Sequence, residues 1–349
     1  MVTVTGGASR RRRAVVVATA LASLAGAVSI ALLVGPVRLG ASGVVGELFG
    51  WLPFVGDGGL DDQHATILWQ LRAPRVVLAC LVGACLAVSG AAYQGAFRNP
   101  LADPYLLGAA AGAGLGATIA LVSGAAGSSA AGTPVLPLAS FVGALAGVAA
   151  AYVVGGSMGG RTTTGLVLAG VAVASFLTAV QTFVQQQNSD TLREVYTWIL
   201  GRLGTAGWDD VLLILPYAVA SIAVLLLHGR LLDVLGLGDD EAESLGLRPA
   251  RVRLTVVVAA SLATAAAVSV AGLIGFVGII VPHAVRMVAG ASNRWIVPLS
   301  ALAGAGFLVL ADLAARTVVA PGELPIGVVT AVIGAPFFAA LLRRSGRSA

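Results

Sequence analysis

Charged side chains are scarce in this sequence: Asp, Glu, Lys and Arg make up 11% of its 349 residues, against about 25% in soluble domains. Lysine is absent, so all 21 basic residues are arginines. Hydrophobic residues reach 58%, and the mean hydropathy is +0.94. This balance excludes an ordinary soluble domain and predicts a protein that crosses a membrane several times.

Reactive and metal-binding side chains are also few. The two cysteines, Cys80 and Cys85, lie in one apolar run, about 140° apart around a helix. They therefore cannot share a metal and are expected to be small buried hydrophobes. The three histidines form no HExxH motif, and the sequence has no GxxxxGK[ST] phosphate loop. We expect no enzyme, no catalytic residue, no metal site and no cofactor bound by this chain.

Ten apolar runs are long enough to cross a membrane, which takes about 20 residues. We predict an all-α polytopic membrane protein with about ten transmembrane helices. Residues 1–13 would form an Arg-rich cytoplasmic N-terminus, 14–342 a single transmembrane domain and 343–349 a cytoplasmic tail. The predicted spans are Ala14–Gly35, Val76–Ala96, Pro104–Val122, Leu136–Val154, Thr164–Phe183, Val211–Leu227, Leu254–Ala271, Ile274–Gly290, Trp295–Ala314 and Pro325–Leu342.

The arginines predict the orientation of these spans. An even number of spans puts both termini on one side, and if that side is the cytoplasm, most arginines lie inside, as the positive-inside rule requires. Because these arginines sit at the ends of apolar runs, the pI near 9.9 indicates contact with membrane lipid and no nucleic-acid partner. The arginines left outside are Arg38, Arg72, Arg75, Arg193, Arg202 and Arg316.

One cytoplasmic segment, LGLGDDEAESLGLRPARVR (Leu235–Arg253), concentrates acidic residues between two spans. Asp240 and Glu243 are spaced as a capping box, Gly246 suits the end of a helix, and Pro249 suits the start of the next. The predicted helix has one or two turns and is marginal alone in water, so it needs a surface to pack against. It is either a docking element for a cytoplasmic partner or a capped loop that joins two spans.

Three of the six outer arginines, Arg72, Arg75 and Arg316, lie in the motifs LRAPR and ADLAARTVVAPGELP, against the insertion bias. They either contact lipid headgroups or bind carboxylates of an extracytoplasmic partner. Asp312 precedes Arg316 by four residues, so an i,i+4 ion pair is expected within the ninth span.

Three long motifs occur in the order found in a known family: LRAPRVVLACLVGACLAVSGAAYQGAFRNPLADPYLLG, AGLIGFVGIIVPHAVRMV and LADLAARTVVAPGELPIGVVTAVIGAPFF. The chain resembles, over residues 71–342, the permease subunits of iron–siderophore, haem and cobalamin ABC importers. The resemblance implies a bacterial inner-membrane protein with both termini cytoplasmic and a dimer of permeases, here expected to be a homodimer. It also implies two cytoplasmic ABC ATPase subunits, which bind ATP and magnesium, and an extracytoplasmic substrate-binding protein.

The resemblance further implies roles for particular residues. A cytoplasmic segment, here 229–253, would couple to the ATPase, and outer arginines would meet carboxylates of the binding protein. The implied docking residues are Arg72, Arg75 and Arg316. The implied coupling residues are Gly238, Asp239, Asp240, Glu241, Ala242, Glu243, Ser244, Leu245 and Gly246.

The fifth span, LVLAGVAVASFLTAVQTF, is our candidate for the lining of a transport pathway, with Ser175, Thr178 and Gln181 as its polar groups. Ala111 also belongs to this prediction, because the cobalamin importer has a polar Asn there. That departure favours an iron chelate of the siderophore or haem class. The alternative function is an ion-gradient-driven secondary transporter, which would carry ionisable residues near mid-membrane.

Overall fold

The computed structural model describes residues 6–49, 59–130, 133–157 and 163–345, almost all of them helical. The predicted cytoplasmic residues 1–5, Arg161 and the tail 346–349 lie outside the described residues. The α-helices are α1 (Gly6–Leu33), α2 (Ala41–Phe49), α3 (Asp62–Thr66), α4 (Ala73–Phe97), α5 (Ala109–Val122), α6 (Val135–Ser157), α7 (Thr163–Gln187), α8 (Leu192–Ile199), α9 (Trp208–Leu235), α10 (Asp239–Ser244), α11 (Pro249–Ala271), α12 (Val277–Ala289), α13 (Asn293–Thr317) and α14 (Ile326–Ser345).

Short elements complete the chain. A π-helical turn, Ile67–Arg72, joins α3 to α4, and 3₁₀ turns cover Ala125–Gly127 and Ser189–Thr191. The two-residue strands β1 (Ser129–Ala130) and β2 (Thr133–Pro134) pair antiparallel between α5 and α6. These elements lie at the predicted outer ends of the spans.

The ten predicted spans correspond, in order, to α1, α4, α5, α6, α7, α9, α11, α12, α13 and α14. Among the described residues, seven of these helices are long and apolar enough to cross a membrane, and α5, α12 and α14 are shorter apolar helices. The all-α polytopic class is therefore confirmed. Helix α1 begins at Gly6, inside the predicted N-terminal segment 1–13, and the apolar span within it covers Arg13–Leu33.

The third helix begins later than predicted. Asn99 and Asp103 cap turns rather than helices: their side chains accept hydrogen bonds from the backbone N–H groups of Leu101 (3.0 Å) and Tyr105 (2.7 Å). The chain then reaches α5 through Gly108, which has a φ of 82°. The stretch from Pro104 to Gly108 is consequently a turn, and the predicted start at Pro104 is wrong by five residues.

Helix α4 lies at the centre of the bundle, where it packs against α9, α11, α12 and α13. Within its apolar window, 78% of residues are buried, against 11% for α1 and 17% for α7. Glycines permit this packing, because a Cβ atom on Gly90 would overlap the carbonyl oxygen of Gly278, and one on Gly83 would overlap that of Gly304. Helices α1 and α7 therefore lie at the periphery of the subunit.

Candidate functional site

The predicted cytoplasmic helix exists as α10, a six-residue helix in the connection between α9 and α11. Since α9 continues to Leu235 and α11 starts at Pro249, the connection is shorter than the predicted segment 229–253. Ala242 is completely buried, in a cluster with Leu232, Leu235 and Val252. One apolar residue thus fixes the inner side of α10 to the ends of the two spans that flank it.

Two arginines from neighbouring helices hold the first turn of α10. The guanidinium of Arg253 donates to both carboxylate oxygens of Asp239, at 3.0 and 3.2 Å, and Arg98 lies 3.1 Å from the same carboxylate. Arg253 is itself buried and also donates to the carbonyl of Ala96 (3.2 Å). Helix α10 is therefore tied to α4 as well as to α11.

The prediction for α10 was wrong at its N-terminal end and correct at its C-terminal end. No side chain caps the N-terminus, where Gly238 has a φ of 139°, so the predicted capping box of Asp240 and Glu243 is wrong. The carboxylates of Asp240 and Glu243 are exposed at the surface instead, while the carboxylate of Asp239 binds Arg98 and Arg253. At the C-terminus, Gly246 has a φ of 83° and Leu247 N–H donates to Ala242 C=O (3.0 Å), which confirms the predicted glycine stop.

The outward side of α10 is both apolar and acidic. Leu237 and Leu245 are 64% and 63% exposed, and Asp240, Glu241 and Glu243 are also exposed. These two leucines and three carboxylates form one exposed surface around α10. We call Leu237, Asp240, Glu241, Glu243 and Leu245 the α10 face.

A cleft of about 480 Å³ opens beside Leu237 of the α10 face, between the ends of α4, α9, α12 and α13. Three buried polar atoms in it have no hydrogen-bond partner among the described residues: Gln94 Oε1, Arg286 Nε and Asn293 Oδ1. Buried polar groups are normally paired, so these three atoms are exceptions among the side chains that line the cleft.

A charge cluster lies at the opposite, outer end of the bundle, centred on Arg75. Its guanidinium donates to both oxygens of Asp312 (2.9–3.0 Å) and to both oxygens of Glu323 (2.8 and 3.0 Å). The hydrogen bonds from Arg75 lower the pKa of Glu323, which is 42% exposed in the loop before α14. The predicted pair of Asp312 with Arg316 is present, but its N–O distance of 3.7 Å is longer than the 2.9–3.0 Å between Arg75 and Asp312. Arg75 therefore makes the stronger contact with this carboxylate.

Arg72 and Arg316 bind the end of α1. Arg72 donates to the carbonyls of Leu32 (2.8 Å), Leu33 (3.1 Å) and Val37, and Arg316 donates to the carbonyl of Ala31. The last carbonyls of a helix have no partner inside the helix, and they attract positive charge. These two arginines therefore fasten the outer end of α1 to α4 and α13.

This arrangement changes the prediction that all three outer arginines present themselves to a partner. The structure brings Arg72, Arg75 and Arg316 together, but Arg72 and Arg316 are only 5% and 3% exposed. These two side chains are buried because their guanidinium groups donate to backbone carbonyls at the end of α1. Arg75, at 11% exposed and joined to the accessible Glu323, lies nearest the surface.

The predicted pathway residues are divided between two environments. Ser175 and Thr178 are exposed on α7, and Ala111 is half-buried on α5. Gln181 is buried instead, because it donates to Thr118 Oγ1 (3.1 Å) at the contact of α7 with α5. Ser175 and Gln181 are about 120° apart around the helix, with Thr178 between them. Ser175 and Thr178 are exposed, whereas Gln181 is on the edge of that face that contacts α5.

Sequence reasoning missed two groups that position these sites, Arg253 and Glu323. The signal for Arg253 was present, since an arginine inside an apolar helix needs an acidic partner when it is buried. Glu323 lies in a Pro- and Gly-rich loop with no periodic pattern, and nothing local indicates its contact with Arg75. No group of three or more His, Cys, Asp or Glu that could hold a metal occurs in the described part of the chain.

The seven long apolar helices and the three shorter ones in the described part of the chain define a multi-pass membrane protein. The chain belongs to the FecCD transport family, which matches residues 21–344. It is thus a permease subunit of an ABC importer, and separate ATPase subunits hydrolyse the ATP. This membership decides against the ion-gradient-driven secondary transporter.

Relatives within the family differ in their substrates. The chain is 44% identical over 285 residues to the cobalamin import permease of Halobacterium salinarum, covering 82% of this chain and 75% of that one. It is 42% identical over 284 residues to the iron(3+)-hydroxamate import permease of Bacillus subtilis, covering 80% and 72%. A solved inward-facing putative metal-chelate ABC transporter superposes with a TM-score of 0.81 at 29% identity, over 93% of this chain and 98% of that one.

Proposed function

We propose that two copies of this chain form the pathway of an iron-chelate importer, and that the α10 face is where each copy meets its ATPase. The observation that carries this proposal is the contrast within α10, which is anchored on one side and exposed and apolar on the other. Ala242 and Asp239 fix it to the bundle, while Leu237 and Leu245 point outward. A lever needs both properties.

The anchors explain how movement of α10 would reach the membrane helices. Because Asp239 joins Arg98 at the end of α4 and Arg253 in α11, a displacement of α10 pulls on two buried helices at once. Helix α4 packs at the centre of the bundle. The ATPase would shift the permease between two states by contacting them differently, as any binding-driven switch requires.

Replacement of the exposed leucines tests this role. We expect Leu237→Asp with Leu245→Asp to abolish co-purification of the ATPase and ATP-driven uptake, while the permease keeps its yield and size-exclusion profile. The matched control is Val318→Asp with Val319→Asp, two exposed apolar residues at the outer end, which should leave ATPase binding unchanged. Normal ATPase binding by the α10 variant would refute the proposal.

The extracytoplasmic binding protein is proposed to dock over the outer charge cluster, with Arg75 as the exchangeable contact. Glu323 is accessible and already occupies part of Arg75, so a carboxylate of the binding protein could take its place. Asp312 would keep Arg75 oriented during the exchange. Arg72 and Arg316 would contribute indirectly, by holding α1 in position.

Substitutions at Glu323 and at Arg75 test whether Arg75 binds the binding protein. Glu323→Gln should leave the permease folded and strengthen binding-protein affinity, because Arg75 loses its internal competitor. Arg75→Gln should weaken that affinity, measured by surface plasmon resonance on the reconstituted permease. Equal affinity for the wild type and both variants would exclude Arg75 from docking.

The pathway is proposed to run along the exposed side of α7, past Ser175 and Thr178. Cysteine replacements at these positions should react with a membrane-impermeant maleimide in the reconstituted importer, because a chelate pathway contains water. Gln181→Cys is the control on the same helix and should stay unreactive, since Gln181 is buried against α5. Reaction at 181 but not at 175 and 178 would place the pathway elsewhere.

The proposed cargo is an iron chelate of the siderophore or haem class, and the cobalamin relative supplies a second candidate. The apolar Ala111 on α5 favours the chelate. Uptake into vesicles that contain the permease, its ATPase and its binding protein, with radiolabelled ferric hydroxamate, haem or cobalamin in turn, decides between them. The proposed setting is the bacterial inner membrane with both termini cytoplasmic.

A further inference from the structure

A groove separates α1 from α12 and α13 in the cytoplasmic half of the bundle. Its volume is about 540 Å³, and its walls are almost entirely apolar. Representative lining residues from the three helices are Val15, Leu24, Val285, Ala303 and Phe307. Such a groove inside one subunit has a shape that a flexible chain can fill.

The length of the groove matches one leaflet of a bilayer. Along α13 it is lined from Leu299 to Leu310, which corresponds to about 16 Å at the rise of an α-helix. Half of a bilayer's hydrocarbon core is about 15 Å thick. The groove therefore has the extent of a single acyl chain that enters from the cytoplasmic surface.

Positive charge lies at the cytoplasmic mouth of the groove. The guanidinium carbons of Arg13 and Arg294 lie 5.5 and 5.7 Å from the ring centroid of Trp295. Trp295 is one helical turn before Leu299, and Arg13 is two residues before Val15, so all three sit just beyond the apolar lining. Among the side chains that the structure describes, no carboxylate forms a salt bridge with either arginine.

We infer that this groove binds one anionic phospholipid of the cytoplasmic leaflet. An acyl chain fills the apolar groove, the phosphate lies between Arg13 and Arg294, and Trp295 marks the headgroup level. Two guanidinium groups that share one ring and lack an acidic partner complement a phosphate. The lipid would join α1, the least buried of the long helices, to α12 and α13.

Native mass spectrometry of the purified importer tests this site, with phosphatidylglycerol and phosphatidylcholine supplied at equal concentration. We expect one phosphatidylglycerol retained per permease chain in preference to phosphatidylcholine. Arg13→Gln with Arg294→Gln should weaken that retention about 30-fold. Arg343→Gln, an exposed arginine at the cytoplasmic end of α14, is the matched control and should retain the lipid normally.

Two further arms distinguish the parts of the site. Gly306→Leu would project a side chain into the groove, where a Cβ has open space up to Leu24 at 3.8 Å, and should reduce retention of the acyl chain without changing the charge. Glycerol phosphate, which lacks acyl chains, should not raise the melting temperature of the complex, whereas phosphatidylglycerol should. Equal retention of both lipids, or unchanged retention by the double arginine variant, would overturn the inference.

Discussion

Asp312 is an acidic side chain that is 2% exposed in an apolar bundle, and its surroundings explain how this is possible. Arg75 binds both of its oxygens, and Arg316 lies 3.7 Å away. Two cations therefore share one buried carboxylate, and Glu323 compensates the second positive charge from the loop. Each charged side chain in the cluster therefore has an oppositely charged neighbour, which offsets the cost of burying it.

Asp312→Asn should consequently destabilise the permease more than it alters transport by the folded fraction. Loss of the charge leaves Arg316 buried without an acidic partner, an effect of roughly 3–5 kcal/mol for a broken buried pair. Thermal unfolding in detergent measures it. Glu323→Gln removes a carboxylate that is 42% exposed and should change stability by about 1 kcal/mol or less. Equal effects of the two variants would contradict this account.

Asp103, in the turn between α4 and α5, predicts a pH dependence. Burial raises the pKa of its carboxyl to about 6, against the opposing hydrogen bond from Tyr105 N–H. The folded state therefore holds this proton more tightly than the unfolded state. The resulting stabilisation is complete below the unfolded pKa of 3.8 and is lost as the pH rises through about 6.

Asp103→Asn should remove this dependence, because asparagine stays neutral and can still accept the Tyr105 N–H. The stability of the variant relative to the wild type should rise between pH 5 and pH 7, a window that brackets the folded pKa of about 6. Thermal unfolding of both proteins across that window is the measurement. A constant difference between them would show that Asp103 does not titrate there.

At the scale of elements, helices could be predicted from the sequence far better than their ends. Runs of apolar residues predict the seven long helices and the three shorter apolar ones that the structure describes, since a span must satisfy its own backbone hydrogen bonds. The start of α5 could not be predicted, because Asn99 and Asp103 can cap either a turn or a helix. The prediction of the α10 cap was wrong for a similar reason. The start of α10 is fixed by ion pairs of Asp239 with Arg98 and Arg253, and neither arginine belongs to this helix.

Helix packing around α4 gives a prediction at this scale. Gly90→Ala should prevent normal assembly, because its Cβ would overlap the backbone of Gly278 and neither helix backbone can yield easily. Gly26→Ala in α1 is the matched control, since no heavy atom lies within 4 Å of the added carbon. Yield of folded, monodisperse permease reports the difference. A folded Gly90→Ala protein with wild-type stability would contradict the close approach of α4 and α12.

At the scale of the whole molecule, the long-range pairings lay beyond sequence reasoning. Arg75 and Glu323 are 248 positions apart, and nothing local in either segment indicates the other. Charge placement predicted that the arginines Arg72, Arg75 and Arg316 and the acidic segment are at opposite ends of the bundle. Their use was not predicted: the arginines serve the end of α1 and Asp312, so only Arg75 remains close to the surface.

The whole account depends on an ATPase gripping the α10 face. The most direct measurement uses Leu245→Cys in a chain whose half-buried Cys80 and buried Cys85 are both replaced by alanine. It is the rate at which this chain reacts with a membrane-impermeant maleimide before and after ATPase is added. We predict fast labelling of the isolated permease and strong protection by the ATPase, with Val318→Cys unaffected. Labelling of Leu245→Cys that is unchanged by the ATPase would contradict the account.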